Sequence, residues 1–250
     1  MNIKQAALGI AALFAVSPSF ADGYVNVFEV PLGVSVNVIS NQLYHENINK
    51  TLHHWDQYEQ EQKAAKAKAK AASTTALPLA QTTGLGISAL VKNLPKDQAD
   101  KGRAAYKQAF DFHEQVIKKF GLPSGDLGVA FASCIAGAWM AYNNKPFPDE
   151  FYLPLVEQMR QIVSARGAQL QSASAAERSS TYESLAIAGM LMASSQITWQ
   201  QNPRAAGADE LRNRMRQQGG DTLARMLQVP PERVGIGAAG VVALAADGKR

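Results

Sequence analysis

The sequence has few of the residues from which metal centres and disulfide frameworks are built. Its 250 residues include one cysteine, Cys134, and four histidines. A single cysteine excludes an internal disulfide and a multi-cysteine zinc site. His53 and His54 are adjacent, so on a helix they point about 100° apart. No H-E-x-x-H pair accompanies them or His45 and His113. We therefore expect neither a metal nor a cofactor.

Charge is also limited, and this restricts the classes of partner. Charged residues make up 18% of the chain, and the formal net charge is +4 at neutral pH. A nucleic-acid binder is expected to carry a clustered basic face. So small a net charge argues against that class of protein, and we expect no nucleic-acid partner.

Motifs for nucleophilic catalysis and phosphate binding are missing as well. The sequence has no G-x-S-x-G elbow. Cys134 lies within the most apolar segment, where a buried thiol is unreactive. The letters of residues 235–240 match G-x-G-x-x-G. This match is attributed to chance, because no strand precedes it and no clear helix follows it.

The first 21 residues match the three-part pattern of a secretory signal peptide. Lys4 precedes the apolar run Ala6–Val16, Pro18 interrupts it, and Ser19–Ala21 supplies small residues for cleavage before Asp22. The run is too short for a membrane span, which needs about 20 residues. We expect a periplasmic or secreted protein with no membrane span after cleavage. Loss of Lys4 would then lower the net charge from +4 to +3.

The N-terminal third after this signal divides into three segments of different character. Residues 22–40 contain alternating valines around Pro31–Gly33, which indicates an extended or hairpin arm. Residues 41–72 are rich in helix-forming Ala, Gln, Glu and Lys, but they lose their apolar face after Tyr58. Residues 73–95 contain Pro and Gly between polar residues and are interpreted as a linker with an apolar patch at Ile87, Leu90 and Val91.

The remainder predicts an all-α fold, a bundle of about five helices over 96–228 followed by a tail over 229–250. Apolar residues recur at helical spacing, and Gly, Pro and capping residues separate the segments. The segment LGVAFASCIAGAWMAY is apolar nearly all round and is expected to be the central helix. Gly219–Gly220 is expected to cut the last helix, and no strand pattern is found after residue 40. The expected helices span about 97–120, 126–143, 149–170, 174–202 and 207–227.

Two glutamates are the candidates for acid–base chemistry. Glu183 precedes the apolar run LAIAGMLMA, and Glu114 lies beside the apolar stripe of the first helix of the bundle. Paired carboxylates can hydrolyse glycosides, so a peptidoglycan-directed hydrolase is one alternative. The other interpretation is structural, because a buried Glu in a bundle is more often paired with an Arg, such as Arg160 or Arg178.

The segment FGLPSGDLGVAFASCIAGAWMAYNNKPFP resembles an uncharacterised family of exported proteobacterial helical proteins. The shared features are a GLP turn, a helix of small residues and a W-x-x-Y segment. The resemblance covers about 95–228 and leaves the N-terminal third outside it. It implies a secreted helical domain without an assigned activity or catalytic residues.

These observations favour an exported, non-enzymatic interaction or accessory protein of the bacterial envelope. Its partner would be an envelope or secreted protein that binds the arm. A further alternative is a binder of an anionic envelope surface that uses Lys63, Lys66, Lys68 and Lys70. The candidate partner-binding residues are Val34, Val36, Val38, Leu52 and Trp55.

Overall fold

The computed structural model describes residues 84–165, 172–201, 203–204 and 207–244, and within them the chain is mostly helical. This confirms the predicted all-α bundle, with one small sheet added. The two strands, β1 and β2, are Val234–Gly237 and Gly240–Ala243. The helices α1 to α6 are Leu85–Val91, Ala99–Lys119, Leu127–Asn143, Tyr152–Ala165, Ala175–Gln201 and Ala208–Leu227.

Helix α3 is the centre of the bundle, as its composition predicted. It packs against α4, α5 and α6, and most of its side chains are buried. Asp126 caps its N-terminus by accepting the amides of Gly128 and Val129. Gly137 of α3 lies directly against Gly189 of α5, and a Cβ on either residue would overlap the backbone of the other helix. The small residues of α3 therefore let its neighbours approach at backbone distance.

Helices α1 and α2 form a layer that packs mainly on α5 and on each other. The interpretation of 73–95 as a linker missed α1, because a seven-residue helix between Gly84 and Pro95 gives too short a pattern to recognise. Its buried side chains include Ile87, Leu90 and Val91, the apolar patch noted in the sequence. The proposed arm over 22–40 and the polar helix over 41–72 lie outside the described residues.

The predicted break in the last helix is wrong, since α6 runs without interruption through Gly219 and Gly220. A Cβ at Gly219 would lie 2.5 Å from the carbonyl oxygen of Ala138 and 2.8 Å from the amide nitrogen of Tyr142. The missing side chain at Gly219 therefore allows close contact with α3 and does not end the helix.

The expectation of no strand after residue 40 is also wrong, because β1 and β2 form an antiparallel hairpin. Val234 and Val241 point into the core, and Gly240 has a φ of 89° at the end of the turn. Gln158 of α4 holds the hairpin: its Oε1 accepts the amide of Val241 at 2.8 Å, and its Nε2 donates to the carbonyl of Val241 at 3.1 Å. The glycine-rich letters of 235–240 thus encode a β-hairpin.

Candidate functional site

Two consecutive residues of α5, Tyr182 and Glu183, connect the bundle to α1 and α2. Successive residues of a helix point about 100° apart, so their side chains reach different neighbours. Tyr182 contacts α2, and Glu183 contacts α1. We define these two residues with His113 and Glu114 of α2 as the junction cluster.

Glu183 binds the N-terminus of α1 through both of its carboxylate oxygens. Oε1 accepts the amide of Gly84, and Oε2 accepts the amide of Gly86, each at 2.7 Å. The first amides of a helix have no partner within it, and Gly84 supplies no side-chain cap. The carboxylate therefore caps α1 from another element, with the favourable charge for a helix N-terminus.

The structural interpretation of Glu183 named Arg160 or Arg178 as a partner, and the described hydrogen bonds of its carboxylate go to backbone amides of α1. Arg160 binds the Oδ2 of Asp126 through its Nε at 2.7 Å, and Arg178 donates to the carbonyl of Ala173. Glu183 is 3% exposed. Its burial is compatible with a carboxylate because two backbone amides replace the hydrogen bonds of water.

Tyr182 and Glu114 form the second connection of the junction cluster. The hydroxyl of Tyr182 donates to Oε1 of Glu114 at 2.7 Å. The ring of Phe110 meets the Tyr182 ring edge-on, with centroids 5.9 Å apart. Burial raises the pKa of Tyr182 above its usual range, and the hydrogen bond to Glu114 adds to this effect. The phenol is therefore a neutral hydrogen-bond donor.

His113 is fully buried beside this pair. Its Nε2 lies 3.3 Å from the hydroxyl oxygen of Tyr182, while its Nδ1 has no hydrogen-bond partner. The hydroxyl oxygen of Tyr182 is also hydrogen-bonded by the backbone of Gly125 and the side chain of Ser124. Burial lowers the pKa of His113 to about 4, and the ring is neutral at physiological pH.

The two candidate catalytic carboxylates serve different contacts. Glu114 accepts the Tyr182 hydroxyl, and Glu183 accepts two backbone amides. A pair of glycosidase carboxylates flanks a bond in a substrate cleft. The contacts of Glu114 and Glu183 are those of groups that join helices. Their partners are 68 to 99 residues away in the chain, so no local sequence pattern could identify them.

Cys134 is fully buried in α3, as expected from its apolar surroundings. Burial raises the pKa of its thiol to about 12. At neutral pH the sulfur is therefore protonated and is a poor nucleophile.

A surface depression of about 350 Å³ lies where α3 meets α6, and sequence reasoning missed it. The guanidinium of Arg216 lies over the ring of Tyr142, 5.4 Å from its centroid. The two residues are far apart in the sequence, so no local motif could have predicted their contact. The depression is lined by Tyr142, Asn213, Arg216, Gln217, Gly220, Asp221, Ala224 and Pro231.

Several predicted features fall elsewhere in the chain. The candidate partner-binding residues and the candidate anionic-surface lysines lie outside the described ranges, as do His45, His53 and His54. Among the residues that the structure describes, no group of three His, Cys, Asp or Glu side chains is placed to hold a metal ion. Within the same ranges, every helix is too short or too polar to cross a bilayer. The candidate partner-binding residues are Val34, Val36, Val38, Leu52 and Trp55, and the lysines are Lys63, Lys66, Lys68 and Lys70.

Comparison with protein families gives a match over nearly the whole chain. A family model described as "Family of unknown function (DUF6683)" matches residues 2–244. The match includes the N-terminal third, so the expectation that the family likeness would cover only 95–228 is wrong. No curated protein and no solved structure matches the chain.

Proposed function

Because the chain belongs to the DUF6683 family of unknown function, we propose a function from its own residues: an exported, non-enzymatic interaction protein of the bacterial envelope. In this proposal the helical body from residue 84 onward is a support. The N-terminal arm with Val34, Val36 and Val38, together with Leu52 and Trp55 in the adjoining segment 41–72, binds an envelope or secreted protein.

The observation that carries the proposal is that both carboxylate oxygens of Glu183 are engaged in contacts that hold α1. This residue is the best sequence candidate for a catalytic acid, and both of its oxygens are engaged by Gly84 and Gly86 at 2.7 Å. Gly84 is the first residue after the N-terminal third that the structure describes. The buried carboxylate therefore anchors α1 at the N-terminal end of the described helical body, and a body fixed in this way can support a binding segment.

Export is supported by the N-terminal pattern alone. A positive charge, an 11-residue apolar run and small residues before Asp22 stand in the order of a cleavable signal. The test is to express the full chain in a bacterium and to determine the N-terminus of the mature protein in each cell fraction. Asp22 as the first residue of periplasmic or secreted protein supports export. An intact Met1 on cytoplasmic protein contradicts it.

Binding through the arm can be tested by site-specific photo-crosslinking. A photoreactive amino acid is placed at Val36 in the arm or at Trp55 in the adjoining segment, and the matched control position is Leu153, an exposed residue of α4. We expect Val36 and Trp55 to crosslink to one discrete envelope protein and Leu153 not to do so. Equal crosslinking from all three positions, or none from the arm, would contradict the proposal.

The hydrolase alternative predicts a different result. Purified full chain would then clear a peptidoglycan suspension, and Glu183→Gln or Glu114→Gln would abolish the clearing while Glu150→Gln, at an exposed position, would not. We expect no clearing by any of these proteins.

The alternative of a binder of an anionic envelope surface predicts binding to anionic vesicles that is lost at high salt. We expect no such binding.

A further inference from the structure

The β-hairpin has one covered edge and one open edge. The amide and the carbonyl of Val241 in β2 are both hydrogen-bonded to the side chain of Gln158, so α4 covers the outer edge of β2. Val241 is paired with Ile236 of β1. In an antiparallel pair, two opposite residues point their backbone groups either at each other or both outward. The amide and the carbonyl of Ile236 therefore point away from β2.

The outer edge of β1 is accessible to an added strand. In the described part of the chain, the amide of Val234 is bonded to the carbonyl of Pro231, and no hydrogen bond joins Ile236 to a residue outside the hairpin. Helix α4 packs on β2, and no described helix packs on β1 to a comparable extent. Gly235 and Gly237 consist of backbone alone and are partly exposed. A Cβ at Gly237 would meet no atom within 4 Å.

An edge of this kind binds an extended chain through backbone hydrogen bonds. The groups that remain for it are the amide and carbonyl of Ile236 and the carbonyl of Val234. A two-stranded hairpin is only marginally stable by itself, so a third strand is favourable. The edge is four residues long, whereas a stable contact between separate molecules buries about 1,000 Å² or more. A segment tethered to the same chain has a high effective concentration and needs less contact.

The segment Val34–Val38 of the N-terminal arm has the pattern that this edge requires. It has the sequence V-S-V-N-V, which places three valines on one face of an extended chain. Strand β1 has the sequence V-G-I-G, with Val234 and Ile236 on the core side. Pairs of β-branched residues on adjacent strands are stabilising. The preceding valine run, 25–30, places the charged Glu29 on the face of its first two valines and fits less well.

We propose that Val34–Val38 docks on β1 of the same chain as a third strand of the sheet. The pairing is antiparallel, which is the more stable arrangement per residue. Val36 lies opposite Ile236, and the two residues exchange both of their backbone hydrogen bonds. Val38 lies opposite Val234, so the valines continue the apolar face of the hairpin.

The chain between the arm and the helical body is long enough for this contact. About 45 residues connect Val38 to Gly84. A flexible chain of that length spans about 35–40 Å on average, and a compact body of about 150 residues has a diameter of about 40 Å. The segment can therefore reach β1 from the point where α1 begins.

Docking on the body is compatible with binding of a partner by the arm. The backbone groups of Ser35 and Asn37 point away from β1, and this new outer edge can take a strand from another protein. The docking itself requires neither export nor a partner. Failure of the arm to crosslink to an envelope protein would leave this inference untouched, and the tests below use the purified full chain alone.

The first test is the hydrogen-exchange rate of the Ile236 amide, measured by NMR. Val36→Pro removes the N–H that would bond to the carbonyl of Ile236, and the matched control Ser35→Pro removes an N–H that faces away from β1. We expect the amide to be protected in the wild type and in Ser35→Pro. In Val36→Pro it should exchange at least about tenfold faster. Equal rates in the three proteins would overturn the proposal.

The second test is a disulfide that only the proposed register allows. Ser35 lies opposite Gly237 in a pair without mutual hydrogen bonds, where the Cα atoms are close enough for a disulfide. Ser35→Cys with Gly237→Cys should form this bond within one chain on mild oxidation. The native Cys134 is buried, and its raised pKa keeps it out of the reaction. The control pair, Ser35→Cys with Lys107→Cys at an exposed position of α2, should stay reduced.

Three results of the second test would contradict the docking. No disulfide between Ser35→Cys and Gly237→Cys would mean that the segment does not lie along β1 in this register. Equal disulfide formation in the control pair would mean that the segment has no fixed place on the body. A disulfide-linked dimer would mean that the segment of a second copy occupies the edge.

Discussion

Oε2 of Glu183 on α5 accepts the amide of Gly86 on α1 at 2.7 Å, across 97 residues of sequence. Gly86 also lies close against α5, since a Cβ added to it would lie 2.5 Å from the Cβ of Glu183 and 2.8 Å from the carbonyl oxygen of Ser180. The glycine thus lets α1 approach α5 closely enough for the hydrogen bond to form.

Gly86→Ala is expected to destabilise the protein by about 2 kcal/mol, because the added methyl overlaps backbone atoms of α5 that cannot move aside easily. The measurement is urea unfolding, with hydrogen exchange of α1 as a local readout. Ser88→Ala, at a partly exposed position of the same helix, is the control and should change stability little. An unchanged stability in Gly86→Ala would show that α1 does not pack against the backbone of α5 at Gly86.

Gly189→Ala is expected to have a larger effect than Gly86→Ala. A Cβ there would overlap the carbonyl of Ser133 and lie 2.8 Å from the Cα of Cys134, both in the backbone of α3. Separating two central helices is expected to cost about 3 kcal/mol. The midpoint of urea unfolding measures this. Gly237→Ala is the control, because no atom lies within 4 Å of its added Cβ, and a comparable loss in both variants would contradict the explanation.

The sequence was sufficient for the helices that have long, regular patterns. The apolar stripe of α2, the apolar composition of α3 and the capping box of α5 are local features of the sequence. The capping box is observed as reciprocal hydrogen bonds between Ser174 and Glu177. Helix α1 could not be predicted in this way. Isolated helices of its length are unstable in water, and it depends on the cap from Glu183, which is distant in the sequence.

The same reason limits what the sequence shows of the junction cluster. Burial of Glu183 and His113 could be inferred from neighbouring apolar residues, and both are buried. Their partners could not be inferred, because they are set by how α1, α2 and α5 pack. The Gly219–Gly220 pair was misread for a related reason: a glycine that permits close packing has the same sequence signal as one that ends a helix.

Gln158→Ala is expected to loosen the β-hairpin while leaving the helices folded. Gln158 makes two hydrogen bonds to the backbone of Val241, and their loss leaves a buried amide and carbonyl without partners. The expected cost is about 2 kcal/mol. Faster exchange of the Val241 amide measures it. Gln161→Ala, at an exposed position one turn along α4, should leave that amide protected, and unchanged exchange in Gln158→Ala would refute the clamp.

The stability of the protein is expected to fall as the pH is lowered below about 6.5, because of His113. Burial lowers its pKa to about 4 in the folded state, so the unfolded chain binds the proton more readily and acid favours unfolding. The stabilisation is fully present above the unfolded pKa and is lost progressively down to about pH 4, amounting to about 3 kcal/mol. Urea unfolding of wild type and His113→Phe over this range measures the difference. The variant should show a shallower loss with acidification, and parallel curves for the two proteins would mean that His113 does not carry the acid sensitivity.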